Sequence, residues 1–172
     1  RGVDASNEFR YVARLMFQFF QPQRGLFYRG TSLGKSKTLS FGASFDGQED
    51  YKSFGGDVYY EHPFENGDGL VLQGDIAAID GDTFLPTLPE RTNYLIEGGY
   101  YFAASKLQPF VQYASQDLDE TTLVDEDRYT VGLAYFHSGH NNNIKLAYTH
   151  IDRNPGESDD DQIILQWQLF QF

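Results

Sequence analysis

The chain has 172 residues, which suits one ordinary domain over 1–172 and is short for two. Its net charge of −12 excludes a nucleic-acid partner, because neutralising phosphates needs an excess of Lys and Arg. Cysteine is absent, which excludes disulfides and thiolate metal sites, and no apolar run approaches the ~20 residues of a membrane-spanning helix.

Apolar and polar residues alternate along most of the chain, a period of two that predicts β-strands. The first such run, EFRYVARLMFQFF, has Phe9 and Leu15 on one face and Arg10 and Arg14 on the other. Most runs approach the ~9–11 residues that a tilted strand needs to cross a bilayer, and exceed the ~5–6 of soluble sheets. The nine predicted strands cover residues 8–20, 37–47, 53–62, 69–79, 92–103, 106–116, 127–137, 143–152 and 162–172.

The two faces of the predicted strands differ in character. One is aromatic at its ends and aliphatic in its middle, as in Tyr129, Val131, Leu133 and Tyr135. Membrane interfaces select aromatic girdles that flank an apolar band, so this face is predicted to contact lipid. The other face is small and polar, which predicts a polar lumen. Its predicted pore-lining residues are Arg10, Arg14, Asp57, Glu61, Gln73, Asp75, Glu97, Gln112, Arg128, Lys145 and Gln166.

The connections between strands alternate in length. Long, mostly acidic segments cover 81–92, 117–127 and 152–161, and short turns cover 65–69, 103–106 and 138–143. Short periplasmic turns and longer external loops are typical of an antiparallel up-and-down transmembrane β-barrel. We therefore expect an all-β barrel in a bacterial outer membrane, with acidic loops outside facing lipopolysaccharide and the C-terminus periplasmic.

The strand count raises a problem, since bacterial single-chain barrels have even numbers of strands. Either the chain is the C-terminal part of a larger barrel, or one predicted strand is false. The weakest features are the first strand and the connection 21–37, which is long for a periplasmic turn. If the first strand lies outside the wall, the remaining eight could close a small barrel.

Several runs together resemble a known family. They are YVARLMFQF, RGLFYRGTSLGKSKTLSFGASFD, QEDYKSFGGDVYYEHPF, the stretch 108–151 and the terminal phenylalanine. They resemble the C-terminal half of outer-membrane porins of the phosphate-selective O and P type. The resemblance implies a homotrimer of barrels with about sixteen strands each. The family's selectivity depends on pore-lining Arg and Lys that cannot be matched here position by position, so phosphate specificity is not carried over.

The expected function is passive diffusion of small hydrophilic solutes or ions, including anions such as phosphate, through a water-filled channel. The alternative is a small closed barrel with a structural or adhesive role through its acidic loops. A soluble sandwich is disfavoured because its surface would expose apolar patches far larger than a few hundred Å².

No enzyme, cofactor or metal is expected. His137 and His140 lie in a Gly-containing turn without a third ligand nearby, and Ser138 beside them does not provide the convergent geometry of a nucleophile and its base. The acidic loops lack the glycine and the register of a calcium loop, so we expect them to be solvated.

Arg10 and Arg14 lie about two pleats apart on the polar face. They could form a rung of positive charge in a pore. Alternatively, they pair with lumen carboxylates such as Asp75 or Glu97 and fill the barrel.

The final segment, QIILQWQLFQF, is predicted to be a closing strand with Trp167 toward lipid. Phe170 and Phe172 resemble the terminal signal that the barrel assembly machinery recognises. They are in phase with Gln166 and Gln168, so the strand either carries a bulge or points a phenylalanine into the barrel.

Overall fold

A computed structural model describes residues 9–22, 30–81, 84–119, 124–154 and 158–170. Across these residues no helix has the length and apolar character needed to cross a membrane. The strands of the described residues are β1 (Tyr11–Phe20), β2 (Thr38–Gln48), β3 (Tyr51–Pro63), β4 (Gly69–Asp80), β5 (Arg91–Tyr101), β6 (Leu107–Leu118), β7 (Asp125–Tyr135), β8 (His137–His140), β9 (Asn142–Asn154) and β10 (Asp160–Leu169).

Nine of these strands form one antiparallel sheet in the order β1-β2-β3-β4-β5-β6-β7-β9-β10. Each strand is hydrogen-bonded to the next long strand along the chain, so the predicted all-β, up-and-down arrangement of nine strands is confirmed. The four-residue β8 was not predicted. It lies in the connection between β7 and β9, where Gly139 has a φ of 57° and the side chains show no period of two.

The first predicted strand belongs to the sheet. β1 pairs with β2 along its whole length, from Tyr11 opposite Gly47 to Phe20 opposite Thr38. The alternative that places this strand outside the wall is therefore wrong. Within the described residues β1 and β10 are the two edges of the sheet, which is not closed.

The strand register divides the side chains into two faces, because residues directly opposite one another on neighbouring strands share a face. We call the face that carries Ile96 and Leu146 the apolar face, and the face that carries Ser40 and Thr149 the polar face. Side chains in the middle of the apolar face are exposed, as Ile96 (63%) and Leu146 (51%) show. The polar face is more enclosed and buries Ser40 and Thr149. This is the reverse of a soluble half-buried sheet, whose apolar face packs on a core.

Aromatic rings on the apolar face lie at two levels. Near the longer loops, Tyr113 and Tyr129 have ring centroids 5.2 Å apart. Near the short turns, the Tyr100 ring lies 4.8 Å from Phe102 and 5.6 Å from Phe64. On β7, Tyr129 and Tyr135 are six residues apart, or roughly 20 Å at the rise of a strand. That separation is close to the ~25 Å apolar band of transmembrane barrels.

The described end of the long connection between β1 and β2 packs against the polar face. Its described residues 30–37, here called the connector, place Leu33 in a small buried apolar cluster with Tyr101, Ala134 and Phe136. Gly34 has a φ of 71°, and a Cβ there would lie 2.2 Å from the carbonyl oxygen of Gly67. The connector thus packs tightly on the β3–β4 turn, which accounts for a connection that is too long for a simple turn.

Candidate functional site

The polar face carries the predicted pore-lining residues. Ten of the eleven lie on this face by register, and Arg10, which precedes β1, bonds to Asp46 of the same face. Whether this face lines a pore stays a prediction. One row of directly opposed residues crosses the face through Tyr59, Gln73, Glu97, Gln112, Thr130, Thr149 and Gln162.

Arg14 bridges from the edge strand β1 to β3. Its Nη1 lies 2.8 Å from Asp57 Oδ2, and its Nη2 donates to Asp57 Oδ1 at 3.0 Å. The intervening strand leaves room for this contact with a glycine, since a Cβ at Gly42 would lie 2.3 Å from the Asp57 carboxylate. Asp75 is directly opposite Asp57 and accepts a hydrogen bond from Gln73 Nε2 at 2.8 Å. One arginine thus lies beside two adjacent carboxylates.

Arg10 pairs with Asp46, to which its Nε donates at 2.7 Å. Both candidate arginines, Arg10 just before β1 and Arg14 within it, are therefore paired with carboxylates, namely Asp46 and Asp57. Asp46 was not among the predicted residues, although it is in phase with Gly42 and Ser44 on the polar side of β2.

A second charged cluster lies on β7 and β9. Glu126 accepts from Arg128 at 2.5 Å and from Arg153 Nε at 3.0 Å, one arginine at each carboxylate oxygen. Arg128 was predicted, but Glu126 and Arg153 were missed because each lies one residue beyond a predicted strand. In the sheet they are directly opposite each other.

Two further predicted residues, Glu97 and Lys145, lie on β5 and β9. Glu97 Oε2 accepts from Gln112 Nε2 at 3.0 Å, and Gln112 is directly opposite it on β6. Lys145 is opposite Gln166 on β10. Among the described residues, Lys145 makes no hydrogen bond or ion pair, and so it is an available cation on this face.

Glu61 differs from the other predicted residues because it is fully buried beneath the connector. Its Oε1 accepts from the backbone N–H of Ser32 at 2.5 Å and from the Ser32 hydroxyl at 2.6 Å. Tyr59 donates its hydroxyl to Oε2 at 2.9 Å. Glu61 therefore fastens the connector to β3.

His140 also holds the connector, because its Nε2 lies 2.8 Å from the carbonyl oxygen of Thr31 and must be the donor there. Among the described residues, no group of three or more potential ligands could hold a metal ion. The expectation that the protein uses no metal stays a prediction.

Asp68 joins the two turns that follow β3 and β5. Its Oδ1 accepts from the backbone N–H of Ala103 at 2.8 Å, and its Oδ2 accepts from Asn66 at 2.8 Å and from the Tyr100 hydroxyl at 3.1 Å. The Ala103 N–H, foremost among these donors, lowers the pKa of Asp68 below its ordinary value, although desolvation opposes the shift.

The end of β10 pairs regularly. In the part of the chain described here, the register with β9 runs without a bulge from Asp160 to Leu169, which lies opposite Asn142. Phe170 follows, 53% exposed, and its backbone N–H donates to Asn141 at 2.8 Å. Phe172 lies outside the described residues.

No family model matches the chain, and no curated protein or solved structure proved similar enough to be matched with it. The resemblance to phosphate-selective porins therefore stays a prediction.

Proposed function

We propose that this chain forms part of the wall of an outer-membrane porin, a water-filled channel for the passive diffusion of small hydrophilic solutes or ions. The sheet faces carry this proposal. An apolar face as open as that at Ile96 and Leu146 needs a lipid or protein cover, and its two aromatic levels match membrane interfaces. Ion pairs and amides crowd the opposite face, as a hydrated lumen requires.

Strand parity supports a wall larger than nine strands. β1 and β10 are separated by an even number of antiparallel steps, so they run in the same direction. Closing the sheet by antiparallel pairing therefore needs an odd number of further strands. Two copies in the same membrane orientation do not solve this, since β1 of one would again run parallel to β10 of the other. Further strands of the same protein, upstream of β1, would close the sheet. The C-terminal strands of a porin are closed into a barrel in this way.

The charge pairing favours weak selectivity over specific phosphate transport. Arg10, Arg14, Arg128 and Arg153 each contact a carboxylate, so their fields are largely offset by neighbouring negative charge. On the same face, Arg91 donates from Nη1 to Gln116 Oε1 at 3.4 Å and not to a carboxylate, and Lys145 makes no ion pair among the described residues. A channel lined in this way is expected to admit small solutes of either sign.

Planar-bilayer recording of the full-length protein tests the proposal. We expect discrete conductance steps, and a folded form that migrates differently from the boiled form in electrophoresis. Absence of steps from correctly folded protein would leave a structural or adhesive barrel, and monomeric solubility in plain buffer would contradict membrane insertion altogether.

A further inference from the structure

The connector fills a concavity of the polar face at the end of the sheet that carries the short turns, here called the turn end. Its Thr31 contacts two distant strands. The hydroxyl donates to Glu61 Oε1 of β3 at 3.5 Å, and the carbonyl oxygen accepts from His140 Nε2 of β8 at 2.8 Å. β3 and β7, the long strand just before β8, are four strand spacings apart, or roughly 19 Å along a flat sheet. One residue can contact both only because the polar face curves around it.

The part of the polar face under the connector is itself apolar. Leu33 packs with Tyr101, Ala134 and Phe136, each of them 7% exposed or less. Tyr101 and Ala134 have the register of the polar face, since Tyr101 is opposite Gly69 and Ala134 is opposite Lys145. Without a cover, a hydrated lumen would leave this apolar surface in water. The sequence of the strands at the turn end therefore requires the connector.

Polar contacts hold the connector in this position. Glu61, which is fully buried, accepts from the backbone N–H and the hydroxyl of Ser32 at 2.5 and 2.6 Å. The amides of Gln108 and Asn143, which line one small cavity with Thr31, are 7% and 1% exposed. A buried carboxylate costs free energy unless donors surround it, so the connector and Glu61 stabilise each other in this position.

We propose that the connector is a constriction of the channel, which narrows the lumen at the turn end and limits the size of the solutes that pass. A segment packed on the lumenal face removes cross-section from the lumen at its own level, and the diameter of a pore at its narrowest level sets the barrier to conduction. The inference rests on the proposed function, since a constriction requires a conducting lumen.

Single-channel conductance of the full-length protein in planar bilayers tests the constriction. Leu33→Asn places an amide in the apolar cluster and should release the connector without altering a strand. We expect the conductance to rise about twofold, and polyethylene glycols that the unaltered protein excludes should enter the lumen. Leu88→Asn, the same substitution in the loop between β4 and β5 at the opposite end of the sheet, is the matched control, with no change expected. Unboiled electrophoretic mobility establishes that each variant is folded.

A second measurement leaves the connector in place. Lys35 is exposed on the connector, so Lys35→Cys can be modified with a bulky, uncharged maleimide. We expect the modification to lower the conductance, because it adds volume where the lumen is narrowest. Glu65→Cys, at an exposed position of the β3–β4 turn, also lies at the turn end but outside the connector, and its modification should leave the conductance unchanged.

Failure of the constriction and failure of the pore give different results. Conductance steps that neither Leu33→Asn nor modification at position 35 changes would overturn the constriction and leave the pore. An equal rise with Leu88→Asn would also overturn the constriction. No steps from any folded variant would overturn the pore and the constriction together. Steps from Leu33→Asn alone would support a connector that closes the lumen completely.

Discussion

Arg14 of β1 and Asp57 of β3 form an ion pair across the intervening strand, with Nη1 and Oδ2 2.8 Å apart. The contact passes over Gly42, so that β2 contributes backbone and no side chain to it. Because Asp75 lies directly opposite Asp57, this single arginine balances part of a local excess of negative charge.

Substituting the two partners of the Arg14–Asp57 pair should change the ion selectivity of the proposed channel in opposite directions. Arg14→Gln leaves both carboxylates without that cation, so the proposed channel should shift toward cations, and the free energy of unfolding should fall by about 1–3 kcal/mol. Asp57→Asn leaves the arginine and should shift the channel toward anions. Reversal potentials in a salt gradient measure both shifts. Shifts of the same sign would show that this pair does not face the conducting path.

If the apolar face contacts lipid, the stability of the protein should depend strongly on which side of a strand carries a charge. Val111 is 59% exposed on that face, and Gln112, the next residue, lies on the polar face beside Glu97. Val111→Arg should destabilise the protein in lipid by about 2–4 kcal/mol. Gln112→Arg is the matched control and should change stability by about 0.5 kcal/mol. Denaturant unfolding in vesicles measures the difference, and equal costs would argue against lipid contact.

The connector predicts different costs for two glycines that share a left-handed conformation. Gly30 has a φ of 82° and open space around a prospective Cβ, so Gly30→Ala should cost about 1–2 kcal/mol from backbone strain alone. Gly34→Ala adds a collision with the Gly67 carbonyl and should cost more. Equilibrium unfolding of both variants gives the comparison. A Gly34 variant no less stable than the Gly30 variant would contradict the tight packing of the connector on the turn.

Asp68 predicts a loss of stability in acid. Since the folded-state pKa of Asp68 is lowered, chiefly by the Ala103 N–H, its bonds stabilise the protein above the ordinary carboxyl pKa of about 3.8. That contribution is lost as pH falls through the lower folded-state value. Asp68→Asn should lower the free energy of unfolding at neutral pH and reduce its further fall in acid. Glu65→Gln, at an exposed position of the same turn, is the control. Measurement of the free energy of unfolding against pH tests this, and an unchanged fall in acid in the Asp68 variant would show that Asp68 does not cause it.

The strands could be predicted because each one places apolar side chains on one face of the sheet and polar side chains on the other. Thr130 and Val131 alternate in the sequence as they alternate between the faces, and all nine predicted strands match the sheet to within a few residues. Strand ends could not be placed as well. Glu126 and Arg153 extend β7 and β9 into charged segments that read as loops, and their ion pair depends on that extension.

The connector could not be predicted, because its position depends on contacts between distant residues without periodicity. Glu61 looks like any inward carboxylate until Ser32, 29 residues away, folds onto it. Asn143 and Gln108 read as ordinary polar-face amides, and only the burial of both distinguishes them from Gln162.

The orientation of the two faces is tested most directly by single cysteines on β7, since the chain has none of its own. Thr130→Cys and Val131→Cys would be inserted in lipid vesicles and treated with a charged, membrane-impermeant thiol reagent. A water-filled lumen predicts that the cysteine at 130 reacts and the one at 131 is protected until the membrane is dissolved. Equal reactivity at both positions, or the reverse order, would contradict a sheet that faces lipid with its apolar side and water with its polar side.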